Sequence, residues 1–421
     1  MTGEDRTRGG FEGLDACVHC GFCLQACPTF LATGDEADSP RGRIELMRGL
    51  ERGDIAATDV ALAYHLDRCL GCRGCEPVCP SGVHYGHGLE AARSRITAAR
   101  GTPRLARLAL WALTTQGVSS VVYWFARVLR ATGLPRLFAG WGRFRFGMGM
   151  LAATRAVKRF GGSAVRSRSS RTAQPPNRPT ALLFRGCVME GLFSHVHDAT
   201  IRTLVVNGYQ VHEVPGQVCC GALHAHAGLL EEARALARMN IAAFGDGDEP
   251  IVVNSAGCGA LMKEYGHLVG DEQGERFGVR VRDVTELLAG DGTKGPVPGA
   301  PLDLHVAYDP PCHLLHAQGV AVPPLKLFAA IPLLELVSVP GAAECCGSAG
   351  LFTLLEPEMS RQVLAAKLER LREAAPQVVA TGNPGCLMQL GAGLAAAGIH
   401  AHARHPVELL DDAYRAAGRY E

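Results

Sequence analysis

The chain has 421 residues, enough for two or three domains, and its hydrophobic content of 47% and charged content of 20% are those of a globular protein. Its formal net charge of +1 excludes a general electrostatic attraction to nucleic acid, so no nucleic-acid partner is expected. Residues 1–13 lack the apolar core of a secretory signal, and sixteen cysteines in such a chain favour metal or redox chemistry in the cytoplasm over a disulfide framework.

Two cysteine runs with the same spacing come first in the chain. They read CVHCGFCLQACP and CLGCRGCEPVCP and supply Cys17, Cys20, Cys23, Cys27, Cys69, Cys72, Cys75 and Cys79. The spacing C-x2-C-x2-C-x3-C-P is that of bacterial ferredoxins, in which the fourth cysteine ligates the other cluster. It predicts two [4Fe–4S] clusters, one on Cys17, Cys20, Cys23 and Cys79 and the other on Cys69, Cys72, Cys75 and Cys27. Structural zinc is the alternative, but zinc sites use two separated cysteine pairs.

The stretch between the two runs has the apolar spacing of helices. Ile44, Met47 and Leu50 recur three residues apart, and a second apolar series follows up to Leu66. We therefore predict a helical ferredoxin domain over residues 1–100, rather than the small ferredoxin that is built from two hairpins.

A long basic segment follows the second run. Residues 91–189 contain no Asp or Glu, and arginines interleave with Trp111, Trp124, Trp141 and several phenylalanines. Residues 105–129 are the most apolar stretch, but the polar side chains within it favour a buried or amphipathic helix pair over a membrane-spanning helix. The segment is expected to dock to anionic lipid or to an acidic patch on a partner, and a solvated basic face is the alternative. Residues 161–180 predict a linker, so residues 101–180 form a basic helical connector.

Beyond the linker the chain repeats itself. ALLFRGC, QVHEVPGQVCCGA and IVVNSAGCGALM correspond to LHVAYDPPC, LLELVSVPGAAECCGSAG and VVATGNPGCLM. Each short apolar run predicts a buried strand that ends at a cysteine, and helical stretches such as residues 229–244 and 357–374 lie between the strands. We predict two α/β units with parallel sheets, the first CCG unit over residues 181–295 and the second over residues 296–421. The fold class is α+β multidomain, with an N-terminal α-helical ferredoxin-like domain and a C-terminal pseudo-symmetric pair of CCG units.

The eight cysteines of the CCG units are candidate metal ligands. They are Cys187, Cys219, Cys220, Cys258, Cys312, Cys345, Cys346 and Cys386. Adjacent cysteines rarely bridge each other, and the carboxyl ends of parallel strands would bring each set of four together. Iron–sulfur clusters are the first expectation, with zinc or an empty site in one unit as the alternative. His224, His226, His313 and His316 follow these cysteines, either as ligands or proton donors or as hydrogen-bonding neighbours.

The whole pattern resembles the iron–sulfur subunit of bacterial glycolate oxidase (glycolate dehydrogenase), in the family related to heterodisulfide reductase. The likeness rests on ACVHCGFCLQACPTF, GDEADSPRGRIELMRGL, HLDRCLGCRGCEPVCPSGV, SAGCGALMKEYG and CCGSAG, and it is weakest over residues 100–180. Related subunits serve the oxidation of lactate or of glycerol 3-phosphate, and both substrates remain alternatives.

The resemblance implies an electron-transfer subunit of an oxidoreductase complex, with no catalytic residues of its own. FAD-containing subunits would oxidise glycolate, and electrons would leave toward quinone or another membrane acceptor. The protein would then be cytoplasmic and peripheral on the inner face of the membrane. The sequence agrees, because it has no G-x-G-x-x-G after a strand and no other dinucleotide fingerprint.

The chain departs from the heterodisulfide reductase pattern at two positions. Ser255 and Asn383 stand where that family has a fifth cysteine in each unit. The departure weighs against noncubane clusters and against a thiol–disulfide reductase, which is the second functional hypothesis. A third hypothesis is a zinc-binding docking platform with no catalytic role.

Overall fold

The computed structural model describes residues 10–115, 117–139, 145–156, 178–290 and 295–420. The N-terminal part is helical, as predicted, with 3₁₀ turns at Glu12–Leu14, Phe22–Ala26 and Glu36–Asp38. Its helices are α1 (Pro28–Thr33), α2 (Pro40–Arg52), α3 (Val60–Asp67) and α4 (Tyr85–Arg100). The predicted apolar face of α2 is confirmed, since Ile44, Met47 and Leu50 are buried.

The connector consists of short helices. They are α5 (Arg104–Thr114), α6 (Val118–Ala131), α7 (Leu134–Phe138) and α8 (Arg145–Ala153). The helix pair predicted over residues 105–129 is confirmed as α5 and α6. Within the described residues, no helix has both the length and the apolar content to cross a membrane. Residues 161–177 of the predicted linker and Trp141 lie outside the described residues.

Each CCG unit contains a four-stranded parallel sheet. The first unit has β1 (Thr180–Phe184), α9 (Val188–Val206), β2 (Gln210–Glu213), α10 (Ala222–His226), α11 (Leu230–Phe244), β3 (Ile251–Val253), α12 (Ala256–Lys263), α13 (Tyr265–Val269), α14 (Glu272–Arg280), β4 (Val281–Asp283) and α15 (Val284–Ala289). The second has β5 (Leu304–Tyr308), a π-helical turn (His313–Ala317), α16 (Val322–Ala329), β6 (Leu334–Leu336), α17 (Phe352–Leu355), α18 (Pro357–Ala374), β7 (Val378–Ala380), α19 (Pro384–Ala396), β8 (His402–Arg404) and α20 (Pro406–Ala416). The strand orders β2-β1-β3-β4 and β6-β5-β7-β8 correspond, so the sequence repeat is also a repeat of topology.

The prediction that the strands are buried is confirmed at the centre of each sheet and is wrong at one edge. The central strands β3 and β7 are buried throughout. The strands β2 and β6, which the repeat predicted as buried, are largely exposed or half-buried. They lie at the edges of the sheets, where helices cover their side chains less completely. The opposite edge strands β4 and β8 were not predicted, because each is three residues long and carries arginine.

The two CCG units share one apolar core. Leu183 and Val252 of the first sheet and Val306 and Val378 of the second belong to a single buried cluster. Helices α9 and α20 pack beside it, and the Arg202 guanidinium donates two hydrogen bonds of 2.7 and 2.8 Å to the Asp411 carboxylate. The two CCG units therefore pack as one body rather than as two independent domains joined by a linker.

The ferredoxin domain rests on the first CCG unit through helix α4. Thr97 Oγ1 donates a hydrogen bond of 3.0 Å to the Ala227 carbonyl, and Arg93 Nη1 donates one of 3.2 Å to the His226 carbonyl. The next residue, Gly228, has φ +76°, and a Cβ atom there would lie 2.5 Å from the Arg93 carbonyl oxygen. Only glycine permits both this backbone conformation and this approach.

Replacing Gly228 with alanine should therefore separate the two domains. We expect Gly228→Ala to lower the free energy of unfolding by about 3 kcal/mol or more, because a left-handed conformation and a backbone clash act together. Gly208→Ala is the matched control: Gly208 has φ +90°, with no atom within 4 Å of its Cβ position. It should cost only about 1 kcal/mol. Chemical denaturation of the cluster-containing proteins measures the free energy of unfolding of both variants. Equal losses in Gly228→Ala and Gly208→Ala would contradict the argument that Gly228 packs against Arg93.

Candidate metal centres

The first cavity, which we call the outer ferredoxin site, lies at the surface beside the first cysteine run. Its lining includes Cys17, Cys20, Cys23 and Cys79. Gly21, at φ +85°, turns the chain into the 3₁₀ turn that carries Cys23. Cys20 is exposed, and the neighbouring Val18 is 68% exposed, so this site faces solvent.

The second cavity, the inner ferredoxin site, lies deeper. Its lining includes Cys27, Cys69, Cys72 and Cys75. The fourth cysteine of each run thus lines the cavity of the other run. Cys75 and Tyr85 line both cavities, which places the two sites side by side.

Buried cations and donors surround the thiols of the inner site. The Arg43 side chain is fully buried, and its Nη1 lies 4.0 Å from Cys27 Sγ while its Nη2 pairs with Asp38 at 3.1 Å. The Tyr85 hydroxyl donates to Cys69 Sγ at 3.5 Å. Burial raises the pKa of Cys69, but the guanidinium groups of Arg43 and Arg93 outweigh it and leave that pKa below its ordinary value. Cys69 therefore favours the thiolate, the form that binds metal, whereas burial raises the pKa of Cys72 and Cys75.

The first CCG site brings together the four cysteines predicted for it. Cys187 follows β1, the Cys219–Cys220 pair follows β2, and Cys258 lies in α12 after β3. The sulfurs of Cys187 and Cys219 are 3.5 Å apart. Hydrogen bonds from Cys187 and Cys220 hold the pKa of Cys219 well below its ordinary value.

Tyr123 of the connector covers this first CCG site. Its ring packs so closely on α9 that a Cβ atom at Gly191 would lie 2.4 Å away. The pKa of Tyr123 is raised by burial and by the neighbouring Cys187. No feature of the sequence indicates this role, because one tyrosine among apolar residues has no distinguishing pattern.

The second CCG site has the same arrangement of four cysteines as the first, but the ammonium group of a lysine lies beside it. Cys312 and Cys345 have sulfurs 3.9 Å apart, and those of Cys346 and Cys386 are 3.2 Å apart. Hydrogen bonds from Cys345 and Cys386 lower the pKa of Cys346, and the ammonium of Lys367 acts in the same direction. Lys367 is buried and bonds Asp309. In the described part of the chain, the groups that most strongly shift the pKa values of Cys187, Cys219 and Cys220 include no lysine.

The chemistry of the donor sets fits metal binding at all four sites. All sixteen cysteines are free thiols. The ferredoxin thiols surround cavities, as a cluster requires. Three pairs of CCG sulfurs lie 3.2 to 3.9 Å apart, close to the ~3.8 Å that a single tetrahedral ion with 2.3 Å bonds gives. A cluster in the CCG sites would require these thiols to move apart.

The inner ferredoxin site contacts the second CCG site. Cys72 and Cys312 pack against one apolar cluster that contains Leu70, Cys345 and Phe352. Burial raises the pKa of Cys72, and the adjacent Cys312 raises it further. Three of the four sites therefore form a contiguous series from the protein surface to the centre of the molecule.

The two positions that depart from the heterodisulfide reductase pattern face each other where the CCG units meet. Ser255 Oγ donates to Asn383 Oδ1 at 3.5 Å, and the Gly257 N–H donates to the same oxygen at 3.1 Å. Asn383 Nδ2 donates to Cys386 Sγ at 3.5 Å. Asn383 thus orients a candidate ligand where a further thiol would otherwise stand.

Of the four histidines near the cysteines, His313 and His316 bond to backbone carbonyls, while His224 Nδ1 is buried without a hydrogen-bond partner among the described residues. His313 Nε2 lies 3.1 Å from the Gly71 carbonyl, and His316 Nε2 lies 3.1 Å from the Ala343 carbonyl. The rings of His226 and His313 stack at 5.3 Å beside the inner ferredoxin site. These two rings join the ferredoxin domain to both CCG units.

A large cleft opens beside the inner ferredoxin site. Its volume is about 710 Å³, and it lies between the ferredoxin domain, the start of α5 and both CCG units. Its apolar lining includes Leu70, Leu223 and Phe352, and its charged lining includes Arg93 and Arg107. The buried Cys69 is part of the lining of this cleft, so the cleft leads toward the inner site.

Adjacent four-thiol sites in a helical ferredoxin domain and in a pair of parallel-sheet units define an iron–sulfur electron-transfer protein. Residues 13–83 match the family model of the 4Fe-4S dicluster domain, and residues 181–263 and 306–391 each match that of the cysteine-rich domain. The chain is 32% identical to the probable glycolate oxidase iron-sulfur subunit of Bacillus subtilis (strain 168), over 96% of this chain and 94% of that one. It is 31% identical to the glycolate oxidase iron-sulfur subunit of Escherichia coli (strain K12), over 95% and 94%.

The chain therefore belongs to the family of glycolate oxidase iron–sulfur subunits. A shorter likeness, 31% identity over 54% of this chain, links it to lactate utilization protein A of Geobacillus kaustophilus, of which it covers 97%. The resemblance that the sequence motifs indicated is thus confirmed, and the chain is an oxidoreductase subunit with an electron-transfer role.

Two buried histidines near the junction of the CCG units should make the stability depend on pH. Burial lowers the pKa of His197 and of His405 to about 4. The unfolded chain therefore takes up these protons first, so the free energy of unfolding should fall as the pH falls below about 6.5 and level off near about 4. Each histidine should contribute about 1 kcal/mol of that fall at about pH 5.5.

Denaturation midpoints at about pH 7.5 and about pH 5.5 test this. His405→Asn keeps a side chain that can cap α20 and should remove about 1 kcal/mol of the pH dependence. His305→Asn, on the exposed part of β5, is the control and should leave the dependence unchanged. If the stability of His405→Asn depends on pH as strongly as that of the wild type, His405 is not a source of the pH dependence.

Proposed function

We propose that this chain is the iron–sulfur subunit of a membrane-linked glycolate (2-hydroxy acid) dehydrogenase, and that it relays electrons from a FAD-containing partner toward quinone. The observation that carries the proposal is the contiguous series of thiol sites, from the exposed outer site through the inner site to the second CCG site. Such a series suits stepwise movement of single electrons. The proposal places the protein in the cytoplasm, peripheral on the inner face of the membrane.

We assign one [4Fe–4S] cluster to each ferredoxin site, with crossed ligation. Cys17, Cys20, Cys23 and Cys79 would hold the outer cluster, and Cys69, Cys72, Cys75 and Cys27 the inner one. The cavity linings support this assignment. When bound, such a cluster exchanges single electrons at a potential that neighbouring hydrogen bonds and charges set. Arg43 and Tyr85 would supply that influence at the inner site.

At the CCG sites we propose further iron–sulfur centres on the eight cysteines, with zinc as the alternative. The short sulfur–sulfur distances keep zinc open, and iron and zinc analysis decides between the two metals. Asn383 would orient Cys386, and Lys367 would offset negative charge beside Cys346. The division into residues 1–100, 101–180, 181–295 and 296–421 remains a prediction.

A flavoprotein partner is part of the proposal, because nothing in the sequence provides a flavin-binding fingerprint. The outer site is the natural point of entry, since Val18 and Phe22 beside it are 68% and 66% exposed. The cleft at Cys69 is where a small acceptor such as a quinone could approach the inner site. Ser255 and Asn383 argue against a thiol–disulfide reductase, which a fifth cysteine in each unit would have favoured.

A pair of double variants tests the crossed ligation. Cys17→Ala/Cys79→Ala should lose about half of the ferredoxin-domain iron, because both changes fall on one cluster. Cys17→Ala/Cys27→Ala should lose most of it, because each cluster then lacks a ligand. Iron analysis with electron paramagnetic resonance reads both variants, and circular dichroism checks their folding. The reverse pattern would show that each run holds its own cluster.

Glycolate-dependent dye reduction tests the function. Reconstituted with the flavoprotein that co-purifies with it, the wild-type chain should support the reaction, and glycolate should reduce its clusters. Cys17→Ala/Cys79→Ala should still bind the partner but reduce dye at least about tenfold more slowly, since the outer cluster is missing. If the complex reduces dye with lactate or glycerol 3-phosphate but not with glycolate, the proposed substrate is wrong. If the isolated chain reduces disulfides, the proposed electron-transfer function is wrong.

A further inference from the structure

The outer surface of α5, α6 and α7 is apolar. We call this surface the connector face. Its members are Leu105, Leu108, Trp111, Val121, Trp124, Phe125, Val128, Leu134, Leu137 and Phe138, each at least 41% exposed. Those of α6 follow the spacing i, i+3, i+4, i+7, which normally marks the face that a helix buries. Among the described residues, nothing covers them.

The orientation of α6 is fixed from its other side. Tyr123 is buried against α9, and its hydroxyl donates to the Leu113 carbonyl at 3.2 Å. Arg130 Nη1 donates to the Leu192 carbonyl at 3.0 Å and to Thr154. Because these contacts hold the helix, the apolar stripe points outward as part of the fold.

The charge around the connector face has one sign. Residues 91–189 contain eighteen of the 42 basic residues of the chain and none of its 41 acidic residues. Arg104, Arg107, Arg127 and Arg136 are exposed beside the apolar side chains. The surface therefore suits a partner that is apolar and negatively charged together.

We propose that the connector face lies on a lipid bilayer that contains anionic lipid. Exposed tryptophans, apolar stripes and arginines on short amphipathic helices are the combination that inserts at the headgroup boundary. The first turn of α5 also lines the large cleft, through Arg104 and Arg107. A bilayer on this face would thus lie at the mouth of the passage to Cys69, a consequence that rests on the proposed function.

Flotation of the full cluster-containing chain with vesicles tests the proposal. Binding should be at least about tenfold stronger to phosphatidylcholine containing phosphatidylglycerol than to phosphatidylcholine alone, and high salt should weaken it. The emission of Trp111 and Trp124 should shift to the blue, and brominated lipid should quench it. Equal binding to both vesicles, or no binding, would overturn the proposal.

Variants separate the apolar and charged contributions. Trp124→Ser/Phe125→Ser should weaken vesicle binding more than about tenfold. Arg107→Gln/Arg127→Gln should weaken it about fivefold for each arginine. The controls are Met239→Ser/Val279→Ser and Arg238→Gln, exposed positions of the first CCG unit, which should bind as the wild type does. Equal losses in the controls would refute the surface assignment.

Dye reduction by the reconstituted complex distinguishes this proposal from the proposed function. The variant Trp124→Ser/Phe125→Ser should keep glycolate-dependent reduction of a soluble dye while losing vesicle binding. If instead it binds vesicles normally but no longer retains the flavoprotein, the face is a protein interface and the membrane proposal fails. If wild type binds vesicles but no 2-hydroxy acid reduces its clusters, the proposed function fails and the membrane surface stands.

Discussion

The packing of residues 69–75 between the two CCG units is the contact on which the rest of the structure depends. The Gly71 carbonyl meets His313 of the second unit, and Arg73 pairs with Glu264 of the first at 2.5 Å. Cys72 reaches the apolar cluster of the second CCG site. Without this contact, the ferredoxin domain and the CCG units would be separate metal-binding bodies, and no continuous series of thiols would exist.

The contact also explains why so many cations lie beside the ferredoxin thiols. A buried group of thiolates carries negative charge into a region of low dielectric, and this is unfavourable unless cations or hydrogen-bond donors surround it. Arg43 and Arg93 provide the charge while bonding backbone carbonyls such as that of Cys69. The same side chains therefore stabilise the fold and the ligands, so a substitution that weakens one should weaken the other.

The local parts of this architecture were predictable from the sequence, and the contacts between them were not. Ligand spacing is set within a few residues, so the runs from Cys17 and from Cys69 already indicated which cysteines would meet. The repeat indicated two corresponding sheets, because strand and ligand recur in the same order. Cys72 and Cys312 are neighbours in the fold but lie 240 positions apart in the sequence. No local sequence pattern could therefore predict their contact. Arg43 and Tyr123 were missed for the same reason, since their partners lie on other elements.

The two CCG units show how one topology can provide two different environments. Strand order and cysteine placement correspond, yet the first site is covered by Tyr123 from the connector while the second touches the inner ferredoxin site and has Lys367 beside it. Because hydrogen bonds, charge and exposure tune a sulfur-ligated metal, sites this different should not share one potential. The repeat therefore supplies the scaffold, and elements outside it determine what each copy does: the connector shields the first site, and the ferredoxin domain makes the second the next step after Cys72.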